Sequence, residues 1–402
     1  MLPTMPSNLR PGLALCLLFA ASGCDTTDPD GPDATVVGTL YTMENEASGN
    51  RVVVYDRLSD GSLAERERVA AGGNGSGRGM EIIPDPLLSQ DAVILSPDGA
   101  RLFAVNAGSS SIASFTVDAD GDLALVEAEP ALGERPVSLT TSADGRRLYV
   151  VNAMTGGGAG SIAGFMVGTD GGLTAIPGSV RPLSGAAMTG PALIAMSPDG
   201  TRLVVTEKAT NRIVTYAVGS DGVPGTPVVT PSAGVTPFGA MFTRNGTFIS
   251  SKTNAPGGPL TAVPNGGTVS SYRVNADGTM TPVTSMSPAF GTASCWIEIT
   301  PDDRYAYTTN TGSGTISGYA VGANGALTPL SQNGPLATLS VPAAAPLDMA
   351  MGDGFLYTVS GDAMGGDGTI SAHRIAAGGQ LTAVDDTAAE GLPAFVTGLA
   401  AR

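Results

Sequence analysis

The chain has 402 residues, more than a single hydrophobic core usually spans, so two domains or a repeated unit are expected. Hydrophobic residues make up 42%, charged residues 14%, and there are 56 glycines and 29 prolines, which favours short strands and turns over long helices. The formal net charge of −16 becomes −17 without Arg10, and such a surface excludes nucleic acid and anionic lipid headgroups as partners.

The amino-terminal segment has the pattern of a processing signal. Arg10 precedes an apolar run at 12–21, which is too short to span a bilayer comfortably, and Ser-Gly then precedes Cys24. This pattern resembles a bacterial lipoprotein signal, with cleavage before Cys24 and lipid added to its thiol; the alternative is an ordinary signal peptide and an incidental cysteine. The sequence predicts a signal at 1–23 and a lipidated, solvated tether at 24–35.

Export and cysteine usage agree in this interpretation. Cys16 is lost with the signal and Cys24 is lipidated, so Cys295 remains alone and no intrachain disulfide forms in the mature protein. We expect a monomer in the bacterial envelope, periplasmic or surface-facing, held to the membrane through its lipid only.

Repeated turns predict the architecture. The motifs SPDG, SADG, SPDG, TRNG and TPDD begin at 96, 142, 197, 243 and 300, with spacings of 46, 55, 46 and 57 residues. Two further units lie at 40–63 and 355–381, which makes seven, each with about four short antiparallel strands. The first unit lacks an innermost strand and 393–401 is a spare one. An all-β, seven-bladed β-propeller over 36–402 is therefore predicted, closed by a carboxy-terminal strand that pairs with the first blade.

Two repeat segments carry a family resemblance. YVVN at 149–152 and YTTN at 307–310 resemble the YVTN-type propeller repeat. Residues 36–402 as a whole are similar to the seven-bladed lactonase family, which includes a bacterial 6-phosphogluconolactonase and fungal carboxymuconate cyclases. The resemblance implies the fold and, more weakly, lactone chemistry, because related propellers include surface proteins with no known reaction.

The second strand of every unit ends on a polar residue. The residues at this position are Glu44, Asn106, Asn152, Glu207, Lys252, Asn310 and Ser360. In a propeller of this family these ends lie around the central channel, so we expect a polar collar there. Ligand contacts from Glu44 and the asparagines are one interpretation, and capping of strand ends is the other.

The exceptions to asparagine are the strongest candidates for catalysis. Glu207, Lys252 and the neighbouring Lys208 lie at the collar level, and Lys208 and Lys252 are the only lysines of the chain. Glu207 and Lys252 are tentative catalytic residues, with a solvated surface pair as the alternative, and Lys208 is a candidate for substrate binding. The loop at 253–267 is long enough to shape a pocket, or is a harmless insertion.

Three other residues are singled out by their place in the repeat. Glu298 occupies an innermost strand, where it is either a general base or a structural hydrogen-bonding group. Arg135, before an innermost strand, either binds a substrate carboxylate or is a surface charge. His373, the only histidine, aligns with packing aromatic residues of the third strands, which leaves no Ser-His-Asp triad.

Metal chemistry is constrained by the same residues. The sequence has no His and Cys cluster, which argues against zinc or copper and for a protein without a cofactor. A calcium ion bound by Glu44, Glu207 and the collar asparagines stays open, because calcium takes oxygen ligands.

Two functions remain from the sequence. The first is hydrolysis of a small-molecule lactone, with Glu207 or Glu298 as base and Lys252 or Arg135 as the electrophilic partner. The net charge and the expected export favour a non-phosphorylated substrate. The second is a non-catalytic propeller of the envelope that binds a ligand or an envelope protein.

Overall fold

The computed structural model describes residues 34–78, 85–154, 158–339, 344–362 and 364–402. The predicted signal at 1–23, Cys24 and the tether up to residue 33 lie outside these ranges. Within them the only helix is a single 3-10 turn, Pro259–Thr261, and no described helix is long and apolar enough to cross a bilayer.

Short antiparallel strands form seven sheets, one for each blade. Blades 1 to 3 begin the chain with β1 (Val36–Met43), β2 (Arg51–Leu58) and β3 (Leu63–Ala70); then β4 (Val93–Leu95), β5 (Arg101–Asn106), β6 (Ser111–Val117) and β7 (Leu123–Pro130); then β8 (Pro136–Thr141), β9 (Arg147–Asn152), β10 (Ser161–Val167), β11 (Leu173–Ala175) and β12 (Arg181–Pro182). Blades 4 and 5 follow as β13 (Pro191–Met196), β14 (Arg202–Glu207), β15 (Arg212–Ala217) and β16 (Val228–Pro231); then β17 (Pro237–Phe242), β18 (Thr247–Lys252), β19 (Thr268–Val274) and β20 (Met280–Pro288). Blades 6 and 7 are β21 (Ser294–Ile299), β22 (Tyr305–Asn310), β23 (Thr315–Val321), β24 (Leu327–Pro329) and β25 (Ala337–Thr338); then β26 (Ala344–Gly352), β27 (Phe355–Asp362), β28 (Gly368–Ile375) and β29 (Leu381–Leu392). The last strand, β30 (Thr397–Ala401), returns to blade 1.

The predicted closure is confirmed. The strand order of blade 1 is β3-β2-β1-β30, so the carboxy-terminal strand supplies the missing innermost strand. The buried guanidinium of Arg57 donates to the carbonyl of Arg402 at 2.6 Å and to the Asp353 carboxylate of blade 7 at 2.9 Å. A side chain at Gly38 or Gly352 would collide with this guanidinium, so both positions require glycine.

Hydroxyl groups link neighbouring blades through the turns that join the third and fourth strands of a blade. The bonds run from a strand hydroxyl to a glycine carbonyl of the next blade: Tyr41 to Gly121, Ser114 to Gly171, Tyr149 to Gly222, Thr215 to Gly278 and Tyr307 to Gly379. Each of these glycines has a positive φ, between 78° and 91°, which side chains disfavour. The repeated turn therefore serves blade-to-blade contact as well as chain reversal.

His373 takes the place of a packing aromatic residue, as predicted. It pairs with Leu356 on the neighbouring strand, as Phe115 pairs with Leu102 and Phe165 with Leu148. Its side chain is 1% exposed, and neither ring nitrogen has a hydrogen-bond partner. The imidazole is thus a buried polar group in an apolar position.

The segment before β4, residues 85–91, reaches four other blades; we name it the crossing segment. The Ser89 hydroxyl donates to the carbonyl of Val137 in blade 3 at 2.7 Å. The Gln90 N–H donates to the carbonyl of Ala192 in blade 4 at 2.9 Å, and the Trp296 indole N–H of blade 6 donates to the Ser89 carbonyl at 2.9 Å. Contact with innermost strands around the ring means that this segment crosses the central channel.

Gln90 is the residue that fixes the crossing segment most firmly. Its side-chain amide donates to the carbonyl of Ile297 at 3.0 Å and accepts from the N–H of the same residue at 3.0 Å. It also donates to the carbonyl of Ala240 at 3.3 Å. One 2% exposed side chain therefore satisfies backbone groups of blades 5 and 6 that have no access to bulk water.

We predict that Gln90→Leu lowers the free energy of unfolding by about 3 kcal/mol or more. The apolar side chain leaves buried N–H and C=O groups unpaired, at about 1–3 kcal/mol each. Urea denaturation followed by tryptophan fluorescence measures the effect through the single Trp296. Gln332→Leu, at an exposed glutamine, is the matched control and should change stability by less than about 0.5 kcal/mol. Equal effects of the two substitutions would show that the crossing segment carries no stability.

We predict that His373→Phe makes the protein more stable, increasingly so at acid pH. Burial lowers the pKa of His373 from its ordinary 6.5, although the charge of Asp386 opposes this shift. The unfolded chain then binds the proton more readily, so wild-type stability falls as pH drops through 6.5 toward the lower folded pKa. Phenylalanine removes this loss, which amounts to at most about 1.4 kcal/mol per pH unit. Urea midpoints at pH 8, 6.5 and 5 test this, and parallel curves for both proteins would contradict it.

Candidate functional site

The ends of the second strands and the starts of the innermost strands lie on one face of the propeller. The pairs Asn152 with Pro136, Lys252 with Pro237 and Asn310 with Ser294 show this directly. The crossing segment approaches the same level through its first residues. We call the surroundings of residues 85–88, with Arg135, Lys208 and Cys295, the channel mouth.

Lys208 lies half-buried at the channel mouth. Its Nζ donates to the carbonyl oxygens of Leu88 at 2.5 Å and Pro191 at 2.9 Å, and lies 5.1 Å from the centre of the Phe238 ring. Burial lowers the pKa of Lys208 to about 7, with the Asp85 charge acting in the opposite direction. An amine with this pKa is partly neutral at physiological pH and is able to accept a proton.

Asp85 is the carboxylate of the channel mouth. It is 1% exposed, and its two oxygens accept the N–H groups of Leu87 at 2.9 Å and Ser89 at 3.1 Å. Burial raises the pKa of Asp85 to about 6, although these hydrogen bonds and Lys208 favour the charged form. The same burial raises the pKa of the nearby Cys295 thiol to about 12, so this sulfur is not a thiolate nucleophile at neutral pH.

Arg135 brings a second cation to the channel mouth. It immediately precedes β8, as predicted, with a left-handed φ of 55°. Its half-buried guanidinium donates to the carbonyl of Pro86 in the crossing segment. Its charge contributes to the lowered pKa of Lys208. Sequence reasoning thus placed Arg135 and Lys208 on the right face, and the structure brings them together.

Three carboxyl groups interact electrostatically: Glu298 on β21, Asp348 on β26 and Asp91 at the end of the crossing segment. Burial raises the pKa of Glu298, and the charge of Asp91 adds to this shift. Burial likewise raises the pKa of Asp348, with Asp91 and Glu298 adding to it, and raises that of Asp91. Asp348 is 3% exposed and one of its oxygens, Oδ2, has no hydrogen-bond partner. This part of the channel therefore favours protonated carboxyls over carboxylates.

The expected polar collar needs correction. Six of the seven side chains end or follow their second strands as predicted, while Ser360 lies two residues before the end of β27, and none of the seven is more than 2% exposed. The Asn106 amide donates to the carbonyl of Ala71 at 2.9 Å, and the Asn152 amide to that of Ala131 at 3.1 Å, in each case in the preceding blade. Asn310 Oδ1 accepts the Ser294 hydroxyl at 2.6 Å. These asparagines cap strand ends between and within blades, and they are not open to the channel.

Glu207 and Lys252 have separate internal partners. Glu207 accepts the N–H of Ser184 at 2.8 Å, its hydroxyl at 2.7 Å, and the Thr210 hydroxyl at 2.5 Å. The fully buried Lys252 donates to the Ser250 carbonyl at 3.0 Å, and burial lowers its pKa. No salt bridge in the described ranges joins the two residues. The geometry therefore favours Lys208 over this predicted pair.

Glu44, a candidate calcium ligand, is paired with two arginines. The 1% exposed carboxylate of Glu44 forms ion pairs with Arg51 at 2.5 Å and with Arg68 at 2.8 Å. Among the residues that the structure describes, no three His, Cys, Asp or Glu side chains are grouped to hold a metal ion. Calcium binding by Glu44 and Glu207 has no support from their surroundings.

Sequence reasoning missed the crossing segment and its acidic residues. Asp85, Gln90 and Asp91 precede the first clear turn motif, so no repeat position identified them. The sequence feature that could have revealed the segment is the length of the connection between blades. Residues 71–92 connect β3 to β4, whereas only residues 131–135 connect β7 to β8. Asp348 also escaped notice, because its unit lacks a clean turn motif.

The first part of the propeller matches a known family. Residues 38–174 match the family described as "Lactonase, 7-bladed beta-propeller". The match spans the strands from β1 to β11, about a third of the chain. No curated protein matches the chain.

Solved structures share the architecture over most of their length. A putative 6-phosphogluconolactonase from Bacteroides fragilis is 18% identical, with 91% of this chain and 98% of that chain covered and a TM-score of 0.61. The periplasmic gluconolactonase PpgL of Pseudomonas aeruginosa is 18% identical, with 89% and 98% covered and a TM-score of 0.63. A functionally unknown protein from Desulfotomaculum acetoxidans is 12% identical, with 90% and 98% covered and a TM-score of 0.64. These likenesses show the seven-bladed fold, and the family match adds a lactonase resemblance in the first three blades.

Proposed function

We propose that this protein hydrolyses the ring ester of a non-phosphorylated lactone at the channel mouth. The observation that carries this proposal is Lys208, a half-buried amine with a pKa lowered to about 7 beside Arg135. The lactonase family match over 38–174 supports the reaction class.

The chemistry needs a base and a group that stabilises the oxyanion. Neutral Lys208 takes a proton from water as its oxygen attacks the ring carbonyl. Arg135 has N–H groups beyond the one bonded to Pro86, and these donate to the developing oxyanion. Collapse of the tetrahedral intermediate breaks the ring C–O bond, and Lys208 returns the proton to the leaving oxygen. One lactone and one water become one hydroxy acid.

The charge distribution supports a substrate without phosphate. Arg135 and Lys208 are the cations of the channel mouth, and Lys208 is only partly charged. A phosphate dianion favours a denser basic cluster than this. Asp85 and the acidic surface oppose a dianion further.

We also propose export as a lipoprotein. The support is the apolar run at 12–21 followed by Cys24, together with the single remaining cysteine, Cys295. PpgL, one of the solved structures with this fold, is a periplasmic gluconolactonase.

A second candidate is a non-catalytic binding propeller of the cell envelope. The observation in its favour is the crossing segment, which occupies the channel with hydrogen bonds to blades 3 to 6. The internal engagement of Glu207 and Lys252 points the same way. This candidate predicts no turnover and a protein or ligand partner on the loop face.

We predict that the purified protein opens aldonolactones and that Lys208→Arg lowers kcat/KM by about 10²–10³. Arginine keeps the cation but does not release a proton at neutral pH. In the wild type the rate should rise about tenfold per pH unit up to about pH 7 and then level off, because the base is the neutral amine. A pH-stat measures ring opening directly.

The exposed Arg146 supplies the control for this assay, since Arg146→Gln should leave the rate unchanged. Urea denaturation verifies that Lys208→Arg is folded. Absence of turnover above an unrelated acidic protein would favour the binding propeller. Full activity of Lys208→Arg would remove Lys208 as the base.

A further inference from the structure

We propose that Lys208 binds carbonyl compounds covalently, as imines, and selects those that carry a carboxylate, such as α-keto acids. This binding activity does not require lactone hydrolysis. It uses the lone pair of the amine as a nucleophile toward carbonyl carbon, where the proposed hydrolysis uses the same lone pair as a base.

The hydrogen bonds of Nζ suit a neutral amine. A neutral lysine has two N–H donors, and Lys208 has two acceptors, the carbonyl oxygens of Leu88 at 2.5 Å and Pro191 at 2.9 Å. The remaining tetrahedral position then holds the lone pair. Within the described ranges no salt bridge involves Lys208. The nitrogen is therefore oriented by dipoles, and no carboxylate within ion-pair distance holds the proton.

Of Asp85 and Cys295, only Asp85 is negatively charged at neutral pH, and burial of Lys208 outweighs its attraction for the ammonium form. Burial raises the pKa of Asp85 to about 6 and that of the Cys295 thiol to about 12, so the thiol is neutral. Arg135 repels the ammonium form, and burial lowers the pKa of Lys208 itself to about 7. A desolvated lysine beside another cation is an activated nucleophile for carbonyl carbon.

Arg135 supplies the preference for a carboxylate. Its guanidinium uses one N–H group on the Pro86 carbonyl and retains other donors of the planar fork. A carboxylate adjacent to the carbonyl carbon matches this fork, while the carbonyl carbon lies toward Lys208. An α-keto acid has both groups on neighbouring carbons.

The chemistry is balanced without a protein-bound cofactor. The Lys208 nitrogen adds to the keto carbon and forms a carbinolamine, which loses water to give the imine. In the test, cyanoborohydride delivers hydride to the imine carbon, and a proton from water completes a stable secondary amine. The imine is reduced and the cyanoborohydride is oxidised.

The chain contains its own comparison group. Lys252, the only other lysine, is fully buried, with Nζ bonded to Ser250 and 5.2 Å from the centre of the Tyr272 ring. Burial lowers its pKa as well, so a lowered pKa without access predicts no reaction there. Because the chain has only two lysines and one terminal amine, peptide mapping identifies which amine carries the adduct.

The experiment incubates the purified full chain with pyruvate and cyanoborohydride at pH 7.5, followed by intact-mass and peptide analysis. We expect one reduced adduct on Lys208, formed at least about tenfold faster than on Lys252. Lys208→Arg should lose this adduct. Adduct on the terminal amine alone, or equal labelling of the two lysines, would overturn the proposal.

A second variant tests the selectivity. Arg135→Gln should lower the ratio of the pyruvate rate to the acetaldehyde rate by about tenfold, since only pyruvate has a carboxylate. The ratio cancels any change in the basicity of Lys208, because both carbonyl compounds react with the same amine. An unchanged ratio would remove Arg135 from the site. Labelling in a protein that opens no lactone would support this inference while contradicting the proposed hydrolase.

Discussion

The arrangement of the channel depends on hydrogen bonding of the crossing segment. Backbone groups buried away from water must find partners, and residues 85–91 find theirs on the innermost strands of several blades. The Gln90 side chain bonds to both blade 5 and blade 6, and Ser89 bonds to both blade 3 and blade 6. The segment is therefore an interior strut, and the channel mouth is built on its carbonyl groups.

The cations of the channel mouth follow from the same constraint. The carbonyls of Pro86 and Leu88 face the loop side of the ring, where they accept Arg135 and Lys208. Neither carbonyl carries a full charge, so both cations are positioned without being neutralised. An ion pair in this place would have raised the lysine pKa, whereas a dipole leaves desolvation dominant.

Most of the fold was accessible from the sequence because repetition reveals it. Five recurring turn motifs and two further similar units predicted seven blades, and the spare strand at the end predicted the closure with β1. The physical reason is that each of the five motifs is held by the same bond from its first hydroxyl to its third side chain, as Ser142 donates to Asp144 and Ser197 to Asp199. A repeated contact leaves a repeated sequence.

The candidate site was accessible only in part. Six of the seven collar positions end or follow their strands as predicted, but sequence position does not give side-chain direction. Glu207 therefore looked catalytic, although Ser184 and Thr210 hold its carboxylate inside the blade. Arg135 and Glu298 were identified by their place in the repeat, and Lys208 was identified as one of only two lysines, both at the collar level. The crossing segment occurs only once in the chain. Because it has no counterpart in the other blades, no repeated pattern in the sequence predicts its position.

The formal charge of the chain overstates the repulsion that an anion meets inside the channel. Burial raises the pKa of Asp91, Glu298 and Asp348, so a smaller fraction of these groups is ionised at any given pH than on the surface. Like charges in a low-dielectric interior share protons because simultaneous ionisation is costly. The channel interior is therefore less negative than the acidic surface, and Arg135 and Lys208 lie at its mouth. Alkaline pH reduces this difference, because the interior carboxyl groups gain negative charge while Lys208 loses its positive charge.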